Sequence, residues 1–183
     1  MTAVVALATV PARQRAVVDA AVGLSAAAMA TLLVASEPPA VAVALLAWTT
    51  IVAAAAAIDV RTARLPDQVV LPGLVITLAG AAISGRIVTA LLGCLMLGAP
   101  LLLGHLMRPE GLGFGDVKFG CLVGAGLGTL ALSSVVIAYL MSVLLHMALC
   151  VSIRAGRRAV PFGPALTVSA FLIMSVVIFG RLS

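Results

Sequence analysis

Apolar runs long enough to cross a lipid bilayer follow one another through most of this chain, and that property excludes most folds. A helix needs about 18–20 consecutive apolar residues to span the hydrocarbon core. The runs over roughly 17–36, 40–58, 87–107, 129–153 and 160–180 reach or approach that length. Two further runs are shorter: 68–84, which carries Pro72 and Gly73, and 117–128. Pro100 is read as an interruption of the 87–107 run. Only 9% of the 183 residues are charged, against about a quarter in soluble domains. Lipid offers no hydrogen bonds, so each run must satisfy its own backbone as a helix. The expectation is an all-α membrane protein: one membrane-embedded domain over 1–183, a polytopic bundle of six to seven transmembrane helices, with the bilayer as its partner.

Arg13 and Arg15 precede the first run, which ends in small residues. A secretory leader would look similar, but its apolar core is usually about 7–15 residues. The run is therefore read as a retained first helix.

The formal net charge of +5 does not point to nucleic acid. The basic residues are scattered between apolar runs, and aromatics, at 4%, are too few for base stacking. The charges serve better as a topology signal, because cytoplasmic loops carry excess Lys and Arg. With the N-terminus inside and every run crossing, nine basic residues fall inside and two, Arg86 and Arg181, outside. Asp59, Asp67, Glu110 and Asp116 then all lie at the cytoplasmic end, and Glu37 lies outside.

Other chemistries lack their residues. Cys94, Cys121 and Cys150 are isolated from one another, with no CxxC, and His146, four residues before Cys150, is the one histidine near a cysteine in sequence. They read as small buried residues, with no metal site and no cofactor. His105 and His146 sit within apolar runs and read as packing or hydrogen-bonded core groups. The glycines of "GLGFGDVKFG" (111–120) do not make a phosphate loop, since the spacing differs and Lys118 is followed by Phe119.

Each remaining carboxylate admits two readings. Asp59 ends an apolar run, where a negative charge opposes the helix dipole and costs free energy near lipid. It either has a chemical task or faces water beside Arg61 and Arg64. Asp67 follows Pro66 at the start of a run, as an N-cap would. Asp116 follows Gly113 and Gly115, glycines that permit close backbone approach, but it also suits an N-cap. Gly120, Gly124 and Gly128 have the spacing of helix–helix contacts. "PFGP" (161–164) reads as a rigid turn before the last helix. Two carboxylates at one membrane face can share a proton and activate water against a peptide carbonyl.

Three blocks, in order, resemble the type IV prepilin peptidase family, the bacterial members of the GxGD class of membrane aspartic proteases. Gly113, Gly115 and Asp116 match the GxGD motif, followed by Lys118. "IDVRTARLPD" (58–67) matches the second block, with Asp59 on its catalytic aspartate and Pro66 and Asp67 on its turn. Pro161, Phe162, Gly163 and Pro164 match the third. The resemblance implies an aspartic endopeptidase of the bacterial inner membrane, with Asp59 and Asp116 catalytic. Such an enzyme removes basic leaders from prepilins or pseudopilins at the cytoplasmic face, serving pilus or secretion machinery. Long members also carry CxxC pairs and N-methylate the product. This chain has no CxxC, and methylation is not carried over. Asp67 or Glu110 is a candidate for recruiting a basic leader. A small transporter or channel, or a non-catalytic pilus-assembly subunit, is the competing reading. A transporter would place its acids in mid-bilayer.

Overall fold

The structure, a computed structural model, describes residues 37–62, 65–109, 112–152 and 162–182. The expected first helix (17–36), Glu110 and Pro161 lie outside the described residues. Six helices make up the described chain: α1 (Pro39–Thr62), α2 (Asp67–Ile83), α3 (Ile87–Met107), α4 (Phe114–Leu130), α5 (Leu132–Ser152) and α6 (Gly163–Leu182). Stretches of α1, α3 and α6 are long and apolar enough to cross a membrane, and α2 and α5 carry shorter apolar stretches. Large apolar side chains such as Val75, Leu95, Leu103 and Val176 point outward, as they must where lipid is the outer solvent. The fold is a polytopic helical membrane bundle.

Pro100 does not interrupt its helix: α3 runs unbroken from Ile87 to Met107. A proline removes one backbone N–H, and neighbouring helices in a bundle can re-satisfy the freed carbonyl.

The short, glycine-broken run becomes the centre of the molecule. Helix α4 packs against each of the other five described helices, most extensively α3. Its 17 residues rise only about 25 Å at 1.5 Å each, less than the roughly 30 Å hydrocarbon core. Encasement makes that length tolerable, and every residue from Gly120 to Leu130 except half-buried Cys121 is buried. Glycine is what lets the neighbours close in. A Cβ at Gly124 would fall on the Gly93 carbonyl of α3, and one at Gly128 on the Thr89 carbonyl. On the opposite side, the Trp48 indole of α1 occupies the space where Gly126 would carry a side chain. Its Nε1–H donates to Leu122 O at 2.8 Å, and its ring meets Phe171 of α6 edge-on at 6.2 Å.

The C-terminal end of α4 is closed by charge. Arg86, before α3, donates to Thr129 O at 3.0 Å, and Arg181, near the end of α6, donates to Leu130 O at 2.8 Å. Both arginines also bind Glu37, whose side chain is 2% exposed. Carbonyls left over at a helix end need partners, and here two guanidinium groups supply them, bridged by one carboxylate that offsets part of their charge. Helix α4 thus runs from this cluster to the end of the bundle that carries Asp59, Asp67 and Asp116.

Two outcomes are expected. Glu37→Gln leaves two cations beside a buried amide. Because the arginines are 31% and 38% exposed, the loss should be about 1–3 kcal/mol, less than the roughly 3–5 kcal/mol of a fully buried pair, read as a lower unfolding midpoint in detergent. Gly124→Ala should cost about 1–3 kcal/mol by overpacking. Gly180→Ala, which meets nothing within 4 Å, should stay within about 0.5 kcal/mol.

Candidate active site

Asp59 lies three residues before the end of α1 and is 4% exposed. The first residue of α6, Gly163, packs directly on its carboxyl group: a Cβ there would lie 2.5 Å from Asp59 Oδ2. Glycine at 163 is therefore a steric requirement of the aspartate's position. Pro164 follows in the first turn of α6, where its missing N–H has no helical partner to lose. Phe162, just before α6, is 7% exposed and meets the His146 ring of α5 edge-on at 5.2 Å. Asp59 Oδ2 is buried and makes no hydrogen bond of regular geometry among the described residues, although the Gly163 backbone faces the carboxyl group. An orphaned carboxylate oxygen is costly inside a protein, and native folds seldom leave one without a task.

Asp116 stands in the first turn of α4, half-buried. Gly113, in extended conformation, is the N-cap residue, and its N–H donates to Asp116 Oδ2 at 3.2 Å. Asp116 N–H returns a bond to Gly113 O at 3.1 Å. The N-cap alternative for Asp116 is thus corrected: it sits at the third helical position, like the acid of a capping box, with glycine where a hydroxyl residue is usual. Gly115 meets the turn after α1, where a Cβ would come within 3.3 Å of Leu65 Cβ.

Asp67 is not an N-cap either. Pro66 holds that position in extended conformation, with no side-chain cap, and Asp67 is the first residue of α2. Its carboxylate instead pairs with Lys118 Nζ of α4 at 2.7 Å. The reason is tertiary: α4 brings an ammonium group within reach.

The structure brings Asp59 and Asp116 to the same end of the bundle, near enough for their charges to interact. They do not share an Oδ2 hydrogen bond, since Asp116 Oδ2 takes the Gly113 N–H and Asp59 Oδ2 is unpartnered. At the same end is an open cleft of about 740 Å³ between the end of α1 (Ile58, Thr62), the turn into α2 (Leu65, Asp67) and the start of α4 (Gly115, Lys118), lined by neither aspartate itself. Ile58 and Gly115 each immediately precede one of the aspartates. Ile58, Thr62 and Leu65 carry no signal in the sequence, since apolar and hydroxyl residues at helix ends are commonplace. Among the described residues, no group of three or more His, Cys, Asp or Glu could hold a metal ion. His105 Nδ1 lies 2.7 Å from Leu112 O, and the three cysteines are free and half-buried.

Residues 39–155 match the type IV leader peptidase family. Two curated proteins named prepilin leader peptidase/N-methyltransferase, from Burkholderia pseudomallei strains 1026b and K96243, are each 41% identical over 91 residues. That stretch covers 46% of this chain and only 29% of each relative. No solved structure matches. The family match takes in more than half of the chain, both aspartates and the glycine turn included, and this protein belongs to the type IV leader peptidase family.

Proposed function

We propose that this protein is an aspartic endopeptidase that removes leader peptides from type IV prepilins or pseudopilins, with Asp59 and Asp116 as its catalytic pair. The observation that carries the reading is the convergence of two carboxyl groups from distant parts of the chain, one with a buried, unpartnered oxygen, beside an open cleft. Family membership and the names of the relatives favour the same substrate class.

The chemistry follows from the pair. Two carboxyl groups in one water-poor site do not both ionise easily, so one holds a proton and the other acts as base. The base takes a proton from water as its oxygen attacks the scissile carbonyl. The acid protonates the carbonyl oxygen, and proton return to the amine nitrogen lets the C–N bond break. Gly113 and Gly115 leave the backbone bare at the mouth of the site, where an extended peptide can lie close. Gly163, held between Phe162 and Pro164, packs against the Asp59 carboxyl group.

The site is proposed to face the cytoplasm from the inner membrane. Nine of eleven basic residues sort to that side when each run crosses. The path of α4 between the two ends of the bundle agrees with that alternation. The described acids lie at helix ends and none lies in mid-bilayer, which favours the protease over a transporter. Methylation is not part of this reading.

Co-expression with a candidate prepilin, followed by mass measurement of leader loss, tests it. Cleavage is expected from the wild type, and Asp59→Asn and Asp116→Asn should each lower it by at least about 100-fold with the protein still inserted. Full activity in either variant removes that aspartate from the mechanism. Gly163→Ala should push the Asp59 carboxyl aside and lower kcat by about 10–100-fold, with KM little changed.

A further inference from the structure

Helix α4 is held at its C-terminal end by two arginines and along its length by glycine contacts. Its first turn, which carries Asp116, has fewer restraints. Two of them face the turn between α1 and α2. One is the close approach of Gly115 to Leu65. The other is the ion pair of Lys118 with Asp67. The same ammonium lies 4.9 Å above the Phe114 ring, one helical turn back on α4. Phe114 in turn meets the His105 ring at 5.6 Å. Among the described residues, Asp67–Lys118 is the ion pair at this end of the bundle, and it closes one wall of the cleft.

We infer that Asp67 and Lys118 form a positioning latch, which seats the first turn of α4 against the α1–α2 turn and so sets where Asp116 stands relative to Asp59. Both are positioning residues, acting through Asp116. The catalytic part of this inference rests on the endopeptidase reading; the structural part does not. The Asp67 side chain is 56% exposed and Lys118 23%, and pairs reached by water contribute modestly. The latch therefore biases a local position and does not hold the fold. That separates it from the Glu37 cluster, whose carboxylate is out of water.

The test is cross-linking in membranes. With Cys94, Cys121 and Cys150 replaced by alanine, Leu65→Cys and Gly115→Cys place two Cβ atoms near the separation a disulfide needs, about 3.5–4.5 Å. Lys118→Met and Asp67→Asn should each slow disulfide formation roughly two- to five-fold. The double variant should be no slower than either single one, because both remove the same interaction. Lys118→Arg should restore the rate. In the otherwise unaltered protein, each single variant should lower kcat for prepilin cleavage by a similar factor while KM moves less. Unchanged cross-linking in both single variants, or additive losses in the double one, overturns the latch. If the wild type cleaves no prepilin, the endopeptidase reading fails, and the cross-linking rates still decide the latch.

Discussion

The whole arrangement depends on keeping one short helix out of lipid. Helix α4 is too short to span the hydrocarbon core comfortably and has glycine at five of its 17 positions after Phe114. Such a helix buries its apolar side chains, Phe119, Leu122, Val123 and Leu127 among them, only when other helices surround it. Its stability also depends on neighbours that approach to backbone contact, a common route to helix association in lipid, where no hydrophobic drive separates helix from solvent. Gly124 and Gly128 make that approach to Gly93 and Thr89 of α3, and Gly126 makes room for the Trp48 ring. Once encased, the helix has two ends that must still be satisfied, and the two ends are solved differently.

At the C-terminal end the solution is a charged clamp: Arg86 and Arg181 reach Thr129 O and Leu130 O, and Glu37 bridges the two arginines. At the N-terminal end the first turn carries Asp116, whose carboxylate takes up the Gly113 N–H. Asp59 stands against the first residue of another helix, α6. Asp116 therefore lies at a helix N-terminus, where the positive end of the macrodipole favours negative charge, while Asp59, in the last turn of α1, gains only the facing N-terminus of α6 against the opposing dipole of its own helix.

Asp59 also explains the glycine of the "PFGP" stretch. The sequence shows a turn before the last helix and no more. In the structure that turn is the wall of a carboxylate pocket, and only a residue without a side chain leaves Asp59 Oδ2 its place. The unpartnered oxygen is then the natural point for water or a substrate atom to bind.

Much was legible in the sequence, for physical reasons. The length of the apolar runs forces helices in lipid, whatever the packing, and the spacing of Gly120, Gly124 and Gly128 announces a close helix contact. Aspartates at the ends of apolar runs are costly unless they have work, so Asp59 and Asp116 stood out, and both lie at one end of the bundle. What local sequence could not show was partnership across the chain. Asp67 looks like a cap because its neighbours in sequence make a helix start, yet its partner, Lys118, lies 51 residues away. Pro100 looks like a break because a lone helix would lose a hydrogen bond there. Glu37, Arg86 and Arg181 read as unrelated loop charges until the folded bundle gathers them on the carbonyls of α4. The sequence by itself determined that the chain lives in lipid as helices with its acids at helix ends. Which of those groups meet was decided only by the tertiary structure, because hydrogen bonds and ion pairs depend on distances of a few ångströms between segments that local patterning does not relate.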